Sequence, residues 1–353
     1  MKENIEQIVY KKLQQEEHYL QEKCAYKYFI HFFELINAFD NINFFTQRKI
    51  NEFCNKMQIG KKFNKSKYMQ GVSEVVLWNY FRRMKVDFEI DKQQHSGKDN
   101  NTDVDIQTNY NGYTFNIEVK CPSREYGKQE EKNLNVDMGF RTIPLDKLTE
   151  EKEKIEKDVL RKAIDNSKGE YSTFSYKKIN DTKLLSYIIS CKDKFDYNED
   201  NGMNILFISL ESSEMQEYWN YLYNPYSGIF TENFASKYFC KEENRFYAKE
   251  DIEKIDVIVL SNIIAGHSNP KDSFNSWNLE TYFNLFCLNR YSKKFEKNRN
   301  DIGYGLLYEL IPNDNLRFEE KLTEVQNWEK ENYIPVEPMF VDSYIFDYYK
   351  DLR

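Results

Sequence analysis

Asn111-Gly112 lies at the centre of a segment in which apolar and polar residues alternate on both sides, from Asp103, Val104, Asp105 and Ile106 to Ile117, Glu118, Val119 and Lys120. Asn-Gly is the preferred pair for a two-residue type I′ turn, whose twist matches that of the strands it joins. The segment therefore predicts a β-hairpin. With Asn111 and Gly112 as the loop, Tyr110 faces Tyr113 and pairing runs outward, which sets Asp105 opposite Glu118 and Asp103 opposite Lys120. Side chains on one face of a strand repeat every second residue. Two or three carboxylates and one ammonium are thus expected on a single face of two neighbouring strands. Carboxylates that close resist ionising together unless they share a cation, and a divalent metal with oxygen ligands suits such a group. The plain alternative is surface decoration, because cross-strand Asp–Lys pairs are ordinary on exposed strands.

The rest of the chain can bury a sheet of which such a hairpin would be part. Its 353 residues are enough for one large or two ordinary domains. Apolar residues make up 40%, too many for a disordered chain. Net charge is −8, which argues against a general nucleic-acid coating protein but not against a local cleft for nucleic acid. The six cysteines form no C-x-x-C pair, so neither a zinc ribbon nor a redox motif is expected. No apolar run approaches a membrane span and the N-terminus has no signal-peptide pattern, which reads as a cytoplasmic chain with no membrane partner. Phosphate-binding glycine loops and G-x-S-x-G elbows are absent. The four histidines are scattered, which disfavours His-metal chemistry, and His267, in the turn-rich stretch 266–270, reads as a solvent-facing loop residue.

Residues 1–65 read as an N-terminal helical segment. Residues 68–84 read as one helix, apolar nearly all round and so buried, with Glu74 as its carboxylate. A carboxylate there needs a metal or a basic partner such as Arg82 or a nearby lysine. Val86 to Ile90 alternates like a strand. Residues 123–180 are highly charged and read as a helical insertion, with Ile155, Val159 and Ala163 on one helical stripe. Leu184 to Ile189 marks an amphipathic helix, residues 204–210 and 255–261 are strand-length apolar runs, and residues 215–222 form a short aromatic helix. Strands apolar on both faces and separated by helices predict an α/β fold with a central mixed sheet flanked by helices. Residues 277–291 read as helical, and 291–353 as a C-terminal extension packing on a core that spans 66–290. The run Lys61, Lys62, Lys65 and Lys67 is a solvated loop or a phosphate contact.

An Asp on one strand, followed on the next by Ile117-Glu118-Val119-Lys120-Cys121-Pro122, resembles the active-site hairpin of the PD-(D/E)XK nuclease superfamily. No Pro precedes either Asp, which departs from the motif's name. The resemblance covers the hairpin firmly and residues 68–262 loosely. It implies a restriction-endonuclease-like core and a Mg²⁺- or Mn²⁺-dependent endonuclease that hydrolyses phosphodiester bonds in nucleic acid, DNA first, in a restriction or anti-phage setting. It further implies that Asp105 and Glu118 hold metal, with the carbonyl of Val119 and Glu74 as further ligands and Asp103 in reserve, and that Lys120 orients water or stabilises the transition state. Cutting both strands of a duplex often uses two sites, so a homodimer stays open. A nuclease-like fold that binds or assembles on nucleic acid with little turnover is the alternative.

Overall fold

The computed structural model describes residues 5–14, 18–22, 26–93, 103–122, 135–140, 150, 153–154, 173–178, 180–191, 194–195, 201–224, 228–232, 239–240, 243–271, 273 and 275–332. Helices α1 (Ile5–Leu13), α2 (Tyr19–Glu22), α3 (Tyr26–Asn41) and α4 (Gln47–Lys56) precede the sheet. Their apolar residues recur at three- and four-residue spacing, so each longer helix has one face to bury. In α3 that face is Tyr28, Phe32, Leu35, Ile36 and Phe39. All five join the core that also lies beneath the sheet.

Helix α5 (Lys65–Met84) is the spine of the molecule. Asn64 caps its first turn by accepting the Lys67 N–H at 2.9 Å, and Lys85 ends it in the left-handed conformation, φ 56°. From Tyr68 to Phe81 every residue except Gln70 is buried, as its all-round apolar sequence predicts. At Gly71 the end of α4 comes so close that a Cβ would overlap the backbone carbonyl of Lys56. This is one position where only glycine fits.

Strands β1 (Phe88–Gln93), β2 (Asp103–Tyr110) and β3 (Tyr113–Lys120) form an antiparallel meander. Asn111 and Gly112 take φ of 52° and 79°, as a type I′ turn requires, and the Asn109 side chain accepts the Gly112 N–H. Pairing runs from Tyr110–Tyr113 to Ile106–Ile117, in the register expected from the turn.

Past the meander come β4 (Asn135–Phe140), β5 (Thr173–Lys178), α6 (Asn180–Ser190), β6 (Gly202–Ser209), α7 (Met215–Tyr223), β7 (Phe239–Cys240), β8 (Arg245–Phe246), β9 (Val257–Ser261), α8 (Ile263–Ser268), β10 (Asn284–Leu288), α9 (Lys293–Lys297), α10 (Ile302–Leu310) and α11 (Asn315–Asn332). The main sheet has the order β1-β2-β3-β6-β9-β10, with β3, β6 and β9 parallel and both flanks antiparallel. The fold is therefore α/β with a six-stranded mixed sheet flanked by helices. All eight residues of β6 are buried, as suits a central strand covered on both faces. Their alternation sorts the two cores. Ile205 and Phe207 pack with α5 and the N-terminal helices, whereas Leu206 and Ile208 pack with α6 and α7.

Several expectations change. Within 123–180 the described residues include a parallel pair of strands, β4 and β5, so the insertion is not purely helical. The helix expected around Ile155, Val159 and Ala163 lies outside the described residues. Residues 277–291 hold β10 rather than a helix. A short apolar run carries no period long enough to separate the two, and the open edge of β9 decides it. His267 is on α8, not in a loop, and is fully buried. Its Nδ1 meets Tyr28 Oη at 2.6 Å, and burial drives its pKa down to about 3 against the opposing effect of Ser276. Among the described residues no helix is long and apolar enough to cross a membrane.

Candidate active site

The hairpin's backbone pairing ends where its acidic residues begin. Beyond Ile106–Ile117, the Asp105 carboxylate turns into the ladder and its Oδ2 accepts the Val119 N–H at 2.7 Å. The alternation of β2 breaks at the same point. Ile106 packs in the core under α5, while Val104, two residues away, packs in the opposite core. The expected single acidic face is thus replaced by a local distortion that holds Asp105 between the strands. Asp103 pairs with Gln93 of β1 and makes no ion pair with Lys120, so the expected Asp103–Lys120 pairing does not form.

Glu118 is fully buried. Its Oε1 accepts from Lys120 Nζ at 2.5 Å and from Lys194 Nζ at 2.6 Å, and its Oε2 is buried with no hydrogen-bond partner. Glu74, also buried, reaches the same region from α5. Its Oε1 accepts from Gln70 Nε2 at 3.0 Å, and its Oε2 lies 2.6 Å from Lys56 Nζ. Gln70 Nε2 also donates to the Val119 carbonyl at 2.9 Å, which ties α5 to β3 through one amide. Lys56 continues to Asp91 at 3.3 Å. Of the two roles open to Glu74, an ion pair is present, and its partner is Lys56 rather than Arg82, which is bonded to Asn79.

The electrostatics follow from this crowding. Burial, then Glu74 and then Glu118, push the Asp105 carboxyl well above the usual carboxylate range, outweighing the Val119 N–H and Lys56. Burial alone would lower the Lys120 ammonium, but Glu118 and then Asp105 more than reverse this, and it is raised. Lys56 is raised in the same way, against burial, by Glu74 and Asp91. With Asp105 pushed towards its neutral form, the carboxylates of Glu74, Asp91 and Glu118 face the ammoniums of Lys56, Lys120 and Lys194. Among the described residues no group of three or more His, Cys, Asp or Glu side chains is arranged to hold a metal ion. The Val119 carbonyl, expected as a ligand, is engaged by Gln70.

Lys56, Lys194 and Gln70 belong to this cluster and were not singled out from the sequence. Gln70 carried a signal, being a polar residue four positions before Glu74 on the same helix. Lys194 carried none, since 76 residues separate it from Glu118. Comparison with family models, curated proteins and solved structures finds no match for this chain.

Proposed function

We propose that this chain is a divalent-metal-dependent nuclease that hydrolyses phosphodiester bonds, with DNA as the first substrate to test and a restriction-endonuclease-like arrangement of its sheet. One observation supports this above the others. A half-buried carboxylate, Asp105, and a fully buried one, Glu118, stand with Lys120 where an antiparallel ladder comes apart, and a third, buried Glu74, arrives from the helix behind. A scaffold has no use for such crowding, which raises Asp105 and leaves Glu118 Oε2 without a partner.

Carboxylate and carbonyl oxygens are the donor types a hard cation favours, and Asp105, Glu118 and Glu74 are the residues that would hold it, although as they stand they are not arranged as a ready metal site. A divalent ion there would polarise the scissile phosphate and lower the pKa of a bound water. The chain's own contribution is positional. Lys120, kept charged by Glu118, is the group to orient the attacking water and to offset charge developing on the phosphate. The Val119 N–H fixes Asp105, and Lys56 and Lys194 pair with Glu74 and Glu118.

The absence of a ready-made chelating trio among the described residues favours a second reading, a nucleic-acid-binding or assembly module with little turnover. One experiment separates the two. Purified protein is incubated with single- and double-stranded DNA and RNA, with Mg²⁺ or Mn²⁺ and with EDTA. Cleavage that EDTA abolishes is the expected result. Cleavage that persists in EDTA defeats the carboxylate mechanism, and binding without cleavage on every substrate favours the module.

A further inference from the structure

A cavity of about 410 Å³ opens beside α5, away from the carboxylate cluster, and its lining includes His31, Glu34, Asn79, Arg82, Asn275 and Asn278. Its volume is in the range of small-molecule sites. It contains none of the residues of the proposed active site, and Arg82 stands two turns beyond Glu74 on the same helix, about 12 Å along its axis.

The lining is short of negative charge. Arg82 directs Nε and Nη2 to a single neutral acceptor, Asn79 Oδ1, at 3.3 and 2.9 Å. Asn79 is itself fixed, because its Nδ2 donates to the Trp277 carbonyl at 2.8 Å. The Arg82 guanidinium also lies 5.6 Å from the Phe39 ring centroid, so its plane is set from two sides. No described carboxylate pairs with it. Arg83 differs, since its guanidinium is engaged by Glu280 at 3.0 Å and by Asn278. An arginine has five N–H donors, so three on Arg82 stay open. His31 also lines the cavity, with its Nδ1 turned away from the open space and buried. Burial, and then the like charge of Arg83, pull the Arg82 guanidinium below its ordinary range, which an anion in the cavity would relieve.

We propose that this cavity binds a phosphoryl group, with the Arg82 guanidinium as its fork. A carboxylate offers two oxygens and would leave donors open, whereas a phosphoryl group offers three. Glu34, an exposed residue of the lining, opposes the anion and limits its affinity. The group is carried either by a free phosphorylated molecule or by a nucleic-acid strand, and the probes separate these sources. The site does not depend on the nuclease reading.

The test is titration calorimetry of the full chain with inorganic phosphate, AMP, and a short oligonucleotide with and without a 5′-phosphate. Wild type is expected to bind at least one probe with Kd of about 1 mM or tighter. Arg82→Gln should weaken that binding about tenfold or more, Arg82→Lys should fall between, and Glu34→Gln should tighten it. AMP binding better than the oligonucleotides assigns a free small molecule, and the reverse order assigns a strand. No binding of any probe, or equal affinity in a folded Arg82→Gln, overturns the proposal. Should Arg82→Gln unfold in a thermal scan, Glu34→Gln decides, and affinity that is unchanged or weaker there overturns it.

Discussion

Glu118 concentrates the chemistry of this molecule in two oxygen atoms. One is shared by two ammonium groups, and the other is buried with none. The lysines should therefore differ in what their loss does. Lys120 sits on β3 beside Asp105, so in the proposed mechanism it meets the reacting phosphate. Lys120→Ala should lower turnover by about 10²–10³, the usual loss for one electrostatic group. Mn²⁺ affinity should stay equal or rise, because a competing cation is gone. Lys194 comes from the turn after α6 and serves to compensate a buried charge. Lys194→Ala should lower stability by about 1–3 kcal/mol and leave most of the rate at saturating metal. Single-turnover kinetics and Mn²⁺ titration on both variants check this. Full activity in Lys120→Ala would remove the main residue-level support for a nuclease.

The decisive contact between elements is that of α4 with α5. Gly71 lets the last turn of α4 lie against α5, and this closeness is what delivers Lys56 to Glu74, three residues further on. A methyl group at Gly71 would meet backbone rather than the end of a flexible side chain, so the helix itself must shift. Gly71→Ala should cost about 1–3 kcal/mol and weaken the Lys56–Glu74 pair. Gly305, exposed on α10 with open space around it, is the control. Gly305→Ala should stabilise by about 0.5–1 kcal/mol, the ordinary gain in a helix. Denaturant melts of the two variants should shift in opposite directions, and a neutral Gly71→Ala would mean that the two helices are free to separate.

At the scale of the whole molecule, Asp256 joins strands that are distant in sequence. Its Oδ2 accepts the Asn204 N–H at the start of β6, and its carbonyl accepts the Asn289 N–H after β10. Burial raises its carboxyl to about 6, against the Asn204 N–H, Lys294 and Ser292, with Asp301 adding to the rise. The folded value is thus above the unfolded one, near 3.8. As pH rises through this window the unfolded chain ionises first, so stability from this group is greatest below about 4, falls between about 4 and 6, and changes no further above. Asp256→Asn keeps an acceptor for Asn204 and has no charge to bury. It should be more stable than wild type at pH 8 by on the order of 1–3 kcal/mol, with the difference shrinking towards pH 4. Urea melts at several pH values test this, and a difference that grows on acidification contradicts it.

The sequence by itself determined what depends on near neighbours. Asn111-Gly112 set the turn and, through it, the register as far as Ile106–Ile117. The unbroken apolar runs of β6 and β9 required strands covered on both sides, and the all-round apolar α5 required burial. These follow from the two-residue and 3.6-residue periods of the chain, which are local. Only the tertiary structure decided where alternation fails and which distant groups meet. The break at Asp105 arises from its side chain taking a backbone N–H of the neighbouring strand. The lysines that close the cluster arrive from α4 and from beyond α6, brought by helix packing. The burial of His267 depends on Tyr28 and Trp277, hundreds of residues and ten residues away respectively. Charge compensation in a buried site is set by distance in space, and no period in a sequence encodes that distance.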